Sequence, residues 1–85
     1  MKQLSRKEVY ECIDGERKYQ DSRWGGEIHD DEHSVSEWLI FIRKHLNDAE
    51  NAIYDSSPEE AMNAIRKITA MGVAAMESIG CPKRK

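Results

Sequence analysis

The amino-acid sequence predicts an all-α fold in which three helices form one small domain. Three segments of the pattern S-x-x-E occur along the 85 residues, and apolar residues at helical spacing follow each one. In this capping box the serine oxygen accepts a hydrogen bond from the N3 amide, and the glutamate accepts one from the cap amide. A chain this short buries only about 60–65% of its unfolded surface. We therefore expect one domain, residues 1–85, that completes its core by oligomerisation.

The first helix is predicted over about residues 6–21, beginning at the capping box of Ser5 and Glu8. Gly15 lies inside it and costs roughly 1 kcal/mol relative to alanine, so it marks either a close helix contact or a break. The apolar positions that we expect to face the core are Val9, Cys12, Ile13 and Tyr19.

The second helix is predicted over residues 35–54, after the Ser34 cap, and the third over residues 58–79, after the Ser57 cap. Pro58 would occupy N1, where its missing N–H costs nothing. Gly80, with Pro82 just beyond it, ends the third helix. One face of the second helix is predicted to be the core face from its spacing of threes and fours: Val35, Trp38, Leu39, Ile42, Leu46, Ala49 and Ile53.

Residues 68–76 of the third helix read Ile-Thr-Ala-Met-Gly-Val-Ala-Ala-Met and are apolar on all sides. A helix that is apolar all round is buried all round, and two partner helices cannot wrap it fully in a chain of this size. We therefore expect another subunit to cover one face. A charge at Met71 or Ala74 is predicted to dissociate that assembly.

Composition argues against a duplex-DNA-binding protein and against a membrane-spanning one. Charged residues make up 34% of the chain and the net charge is −3, which argues against a duplex-DNA partner, since such proteins usually present a basic face. No apolar run approaches the ~20 residues that a bilayer crossing requires. The chain opens on charged residues, and its two cysteines show neither a disulfide framework nor a CxxC pair. We expect a cytoplasmic protein without a membrane partner.

A loop is predicted over residues 22–34 and a basic tail over residues 81–85. Loops of this length are usually functional or mobile. This one contains His29 and His33, which on a helix would share a face and could bind zinc. Because both precede the Ser34 cap, we interpret the segment as an acidic, solvated loop and predict no metal site there.

Carboxylates offer an alternative chemistry. Acidic pairs on facing helices can hold Mg²⁺ against nucleotide phosphates. Glu8 and Glu11 form an ExxE pair, whereas Glu37 has no acid three residues later and Glu60 is followed at that spacing by Asn63. If the protein is an enzyme, these four glutamates are the candidate magnesium ligands. Otherwise we predict no catalytic residue and no cofactor.

Cationic and aromatic residues favour the binding of phosphate and base groups. Arginine donates paired hydrogen bonds to phosphate oxygens, and tryptophan offers a flat face on which a base stacks. Arg66 lies just before the apolar stretch, where a cation needs an anionic partner from the protein or a ligand. The candidate ligand-binding residues are Arg17, Lys18, Arg23, Trp24, Arg66 and Lys67.

Four segments, residues 16–25, 33–39, 65–77 and 80–82, resemble short phage and prophage proteins that are commonly labelled MazG-like. The resemblance covers nearly the whole chain. It implies a MazG-like helical bundle that assembles into an oligomer and takes a nucleotide ligand. MazG-type enzymes hydrolyse nucleoside triphosphates to monophosphates and pyrophosphate, with magnesium held by ExxE and ExxD motifs on facing helices. This chain lacks the second acidic pair.

Small phage-encoded helical oligomers also include nucleotide sponges, to which this chain is similar in kind. Sponges bind cyclic nucleotide signals of bacterial immunity between subunits, without metal or turnover. We therefore predict a non-catalytic homo-oligomer that sequesters a cyclic nucleotide signal of anti-phage defence in the host cytoplasm. Two alternatives stay open: a magnesium-dependent MazG-like nucleoside triphosphate pyrophosphohydrolase, and a protein-binding helical module.

Overall fold

The computed structural model describes residues 1–24 and 33–85, and the regular structure within them is entirely helical. The helices are α1 (Arg6–Trp24), α2 (Val35–Tyr54) and α3 (Pro58–Ile79). The predicted all-α class with three helices is confirmed for these residues. None of the helices in this part of the chain has the length and apolar character that a bilayer crossing requires.

α1 is three residues longer than predicted, so the assignment of residues 22–24 to a loop was wrong. The Ser22 hydroxyl donates to the Tyr19 carbonyl at 2.7 Å, inside the helix. Trp24 then ends α1 half-buried, in a cavity that it shares with Met71 of α3. Burial of this large side chain favours continuing the helix to residue 24.

Two of the three predicted capping boxes are present. Ser5 Oγ accepts from the Glu8 amide at 3.2 Å, and Glu8 Oε1 accepts from the Ser5 amide at 3.0 Å. Ser34 and Glu37 make the same pair of bonds at the start of α2. Because a carboxylate that accepts hydrogen bonds is stabilised in its charged form, the pKa of Glu8 and that of Glu37 are lowered, chiefly by the backbone amide of the cap serine.

The third capping box, at Ser57, was predicted wrongly. The Ser57 side chain makes no cap hydrogen bond. The backbone amide of Ser57 donates to the Ala52 carbonyl at 2.8 Å. That amide is therefore already engaged and does not donate to the Glu60 carboxylate, as a capping box requires. Pro58 does occupy the first turn of α3, as predicted.

α3 lies between the other two helices and packs against both. Its buried residues are small apart from Met71, and Ala70 and Ala74 are fully inaccessible to solvent. Alanine side chains let helix backbones approach closely, which is how one helix serves two neighbours. Met71 and Ala74, where a charge was predicted to break an oligomer, are buried within the chain itself, so a charge there would disrupt this fold first.

The predicted core face of α2 is only partly buried. Trp38 and Ala49 are buried against the rest of the chain, whereas Val35, Leu39, Leu46 and Ile53 are exposed. The side of α2 that carries Trp38, Phe41 and His45 faces α3 and the end of α1. The remaining apolar positions then lie on a side that neither helix covers.

The contact between α1 and α3 is polar, which the sequence analysis did not predict. Val9, Cys12 and Tyr19, expected to face the core, are exposed, and Ile13 is half-buried. The buried residues of α1 are Arg17 and Gln20. These two sit three residues apart and face α3, where the Gln20 amide donates to the Lys67 carbonyl at 3.3 Å.

Arg17 holds α1 to α3 through a forked contact with Glu77. Its Nε and Nη2 lie 3.0 and 3.2 Å from the two carboxylate oxygens of Glu77. Nη2 also donates to Asp21 at 2.9 Å and Nη1 to Gln20 at 3.2 Å. Hydrogen bonding to Glu77 raises the pKa of Arg17 against the opposing effect of burial. A buried guanidinium with this many acceptors is a strong, directional contact.

Replacing Arg17 with alanine should lower the free energy of unfolding by about 2–3 kcal/mol, because charge-assisted hydrogen bonds in a buried site are lost. Urea unfolding followed by circular dichroism measures this change. The matched control is Lys18→Ala on the exposed side of the same helix, where the effect should stay within about 0.5 kcal/mol. Equal stability of the two variants would show that the Arg17 contacts do not hold α1 in place.

Candidate ligand-binding cleft

Two adjoining cavities lie where the end of α1 meets the α2–α3 pair, and we call them together the cleft. Each has a volume of about 200 Å³. They share Trp24 from α1, His45 from α2 and Met71 from α3, so all three helices build the cleft. The aromatic cavity is lined further by His33, Trp38, Phe41 and Lys44. The polar cavity is lined further by Glu16, Tyr19, Gln20, Arg23 and Lys67.

Edge-to-face ring contacts fix the wall of the aromatic cavity. The His33 ring lies 5.4 Å from the Trp38 ring and 5.0 Å from the Phe41 ring, and Trp38 lies 6.0 Å from Phe41. The interplanar angles are 82–87°, the T-shaped arrangement that aromatic pairs favour. His33 Nδ1 also lies 3.4 Å from Glu37, the α2 capping residue. The wall is thereby tied to the helix start.

Trp38 carries a polar atom that residues 1–24 and 33–85 leave unsatisfied. The residue is 2% exposed, and its indole Nε1 has no hydrogen-bond partner within these residues. An unmade hydrogen bond of this kind costs roughly 1–3 kcal/mol. Such a cost in the wall of a cavity is typical of a site organised for something other than stability.

His45 stands where the two cavities meet. Burial, followed by the charge of Lys44, lowers the pKa of His45, and the Asp48 carboxylate at 3.6 Å opposes this only partly. The imidazole is therefore neutral at pH 7 and offers one nitrogen as a donor and the other as an acceptor. Such a group can contact either a phosphate oxygen or a base.

Three of the six predicted ligand residues line this cleft: Arg23, Trp24 and Lys67. The α2 residues Phe41, Lys44 and His45 line the cleft as well and were not predicted. Phe41 and His45 follow Trp38 at helical spacing, but they lie beside the more apolar stripe, containing Trp38, that was predicted as the core face. The signal was the placement of a lysine and a histidine beside these aromatic rings.

The other three predicted residues make contacts within the fold. Arg17 is bound to Glu77, Asp21 and Gln20. Lys18 pairs with Asp14 at 3.1 Å on the exposed side of α1. Arg66 donates to Glu16 and to Asn63, each at 2.8 Å. The anionic partner that the sequence analysis required for Arg66 is therefore a carboxylate of α1.

The four glutamates of the enzyme alternative are distributed over all three helices, with Glu8 and Glu11 on α1, Glu37 on α2 and Glu60 on α3. Glu8 and Glu37 each cap a helix, and Glu11 lies with Arg6 and Lys7 on the exposed side of α1. Glu60 lines a third cavity that also contains Asp48, Asp55 and Lys67. Among residues 1–24 and 33–85, no group of three or more His, Cys, Asp or Glu side chains is placed to hold a metal ion. His29 lies outside the described residues.

Comparisons with protein families, with curated protein sequences and with solved structures found no match. The resemblance to MazG-like proteins and to nucleotide sponges therefore stays a prediction.

His45 should make the stability of the protein sensitive to acid. An exposed histidine takes up a proton near pH 6.5, and the folded chain resists that proton because the pKa of His45 is lowered. The contribution is present above pH 6.5 and is lost as the pH falls from that value through the lowered pKa of the folded protein. An NMR titration of the His45 ring should give a midpoint below 6.5. His45→Gln should lose less stability than wild type between pH 7 and about pH 5, and an equal loss would contradict this role.

Proposed function

We propose that the protein binds a nucleotide in the cleft, with the base in the aromatic cavity and the phosphate in the polar cavity. The observation that carries this is the direct adjacency of the two cavities, which share Trp24 and His45. Together they reach the lower part of the ~300–1,000 Å³ range typical of small-molecule sites. A flat aromatic ligand joined to an anion matches such a pair of cavities.

The charges around the cleft support an anionic ligand. Arg23 and Lys67 line the polar cavity, and Lys44 lines the aromatic one. The carboxylate in the polar cavity, Glu16, already accepts from Arg66 at 2.8 Å, so its charge is compensated. Charge-assisted hydrogen bonds to phosphate contribute roughly 1.5–3 kcal/mol each.

We propose sequestration rather than cleavage, by a homo-oligomer that holds a cyclic nucleotide signal in the cytoplasm of an infected host. The polar cavity offers Arg23, Lys67 and the neutral His45 to the phosphate, and its carboxylate, Glu16, is already bound by Arg66. A site of this composition stabilises bound phosphate, and its described carboxylate is engaged within the fold instead of serving as a base for water. The sponge-like role also draws on the sequence resemblance described above.

Hydrolysis is a second candidate, supported by one specific observation. Lys67 lines both the polar cavity and the third cavity, where Glu60, Asp48 and Asp55 bring carboxylates near it. Acids beside a phosphate-binding lysine could recruit Mg²⁺ to a nucleoside triphosphate.

Nucleotide binding should appear as a rise in melting temperature across a panel of linear and cyclic nucleotides. A ligand at a hundredfold excess over its dissociation constant stabilises the fold by about 2.7 kcal/mol. The rise should persist with a chelator, since arginine and lysine hold the phosphate. Absence of any shift would favour the protein-binding module.

Variants of the cleft should weaken that binding in calorimetric titrations. Trp24→Ala should cost about 1–3 kcal/mol by removing base stacking, and Lys67→Ala roughly 1.5–3 kcal/mol by removing a phosphate contact. Lys18→Ala, on the exposed side of α1, is the control and should bind as wild type. Arg66→Ala should reduce stability, because it releases Glu16 and Asn63. Loss of affinity in Lys18→Ala but not in Lys67→Ala would place the ligand elsewhere.

Turnover separates the two candidates. Wild-type protein incubated with Mg²⁺ and nucleoside triphosphates should release little pyrophosphate. Sustained release that Glu60→Gln abolishes, with nucleotide affinity unchanged, would establish the hydrolase and refute sequestration.

A further inference from the structure

The α2–α3 pair presents a continuous apolar surface on the side that α1 does not cover. Its members are large aliphatic side chains that are 44–60% exposed, and we call this surface the open face: Leu39, Leu46 and Ile53 of α2, with Met62, Ile65, Met76 and Ile79 of α3. A shallow groove lined by Ile53, Met62 and Ile65 runs between the helices and joins the two halves, and Met1, which is 84% exposed, reaches one edge of it. Exposed apolar side chains scattered singly are ordinary, but a contiguous group is not.

The packing of α1 accounts for the position of this face. Three residues of α3 make hydrogen bonds with α1. The Lys67 carbonyl accepts from Gln20 at 3.3 Å, Arg66 donates to Glu16 at 2.8 Å, and Glu77 accepts from Arg17 at 3.0 Å. Successive residues of a helix turn by about 100°, so Ile65 and Met76 point away from the side where α1 lies. Trp38 and Ala49 turn the buried side of α2 toward α3, which leaves Leu39 and Leu46 on the uncovered flank.

The spacing on the open face is that of a helix-packing seam. Leu39, Leu46 and Ile53 are seven residues apart on α2. On α3 the same seven-residue spacing occurs twice. One series is Met62, Thr69 and Met76, and the other is Ile65, Gly72 and Ile79. Apolar residues at this repeat align along one side of a helix and pack against a partner helix. The small Thr69 and Gly72 leave room for that partner.

The area is that of a stable interface. The seven large side chains together expose roughly 700 Å², against the ~800 Å² that each partner buries in a standard complex. The largest apolar patch of an ordinary monomer is about 300–600 Å². This surface therefore exceeds what a monomer usually leaves in water.

We propose that the open face binds the open face of a second copy of this chain, forming a two-fold symmetric four-helix bundle. A two-fold interface uses the same surface on both subunits, and two antiparallel helix pairs with seven-residue seams match the usual four-helix arrangement. The proposal does not depend on nucleotide binding, because the cleft is lined by Lys44, His45 and Lys67 on another side of the pair. The dimer carries two clefts, both open.

The test compares two neighbouring residues of α2. Leu39 and Ile40 are 60% and 65% exposed, but they point about 100° apart, and Ile40 lies off the open face. Sedimentation velocity at micromolar concentrations should give wild type and Ile40→Glu a mass twice the 9.8 kDa of the chain. Leu39→Glu and Ile65→Glu should sediment as monomers, because each places a charge at the seam.

Circular dichroism controls for folding. Leu39→Glu should keep its helical signal. The melting temperature of a dimer rises with protein concentration, so that of wild type should rise and that of Leu39→Glu should not. If the glutamate variants lose helicity, Leu39→Ser and Ile65→Ser replace them. A monomeric wild type would overturn the proposal and leave the face to a different protein. Dimers that persist in both Leu39 and Ile65 variants would overturn it as well.

Discussion

The small side chains of α3 are the constraint on which the rest of the fold depends. One helix has to contact α1 on one side and α2 on another, and Ala64, Ala70 and Ala74 allow both approaches. Large side chains are correspondingly few inside, and among the described residues Trp38 and Met71 are the large buried apolar ones. A core this small leaves aliphatic surface exposed. The open face and the cleft are both consequences of it, since residues 1–24 and 33–85 fill neither.

The second organising feature is the use of charge to hold α1. The guanidinium of Arg17 pairs with Glu77, and that of Arg66 pairs with Glu16. These contacts fix the rotation of α1, which places Trp24 and Arg23 at the mouth of the cleft. Two arginines that sequence patterns suggested as ligand residues therefore make contacts within the fold. They position the helix whose end lines the cleft.

The sequence predicted the helices well because their signals are local. The Ser34–Glu37 box, Pro58 and Gly80 each act within one turn of the helix end that they mark. Glu77 and Glu16, the interhelical partners of Arg17 and Arg66, lie 60 and 50 residues away from them, and no local pattern contains these pairs. The core face of α1 was mispredicted because periodicity identifies apolar faces, whereas this helix buries the polar residues Arg17 and Gln20. Half of the predicted ligand residues line the cleft, but His45 required knowledge of which side of α2 meets α3.

The polar face of α1 has a consequence during synthesis. α1 is made before α2 and α3, yet every long-range contact described for it is with α3, the last of the three. Until α3 is complete, α1 must wait in solution, where an exposed apolar stripe would invite aggregation. A helix that docks through arginine, glutamine and glutamate is well hydrated while it waits. α2 and α3, joined by a short turn, can meet as soon as α3 forms, and that pairing creates the surface onto which α1 finally closes.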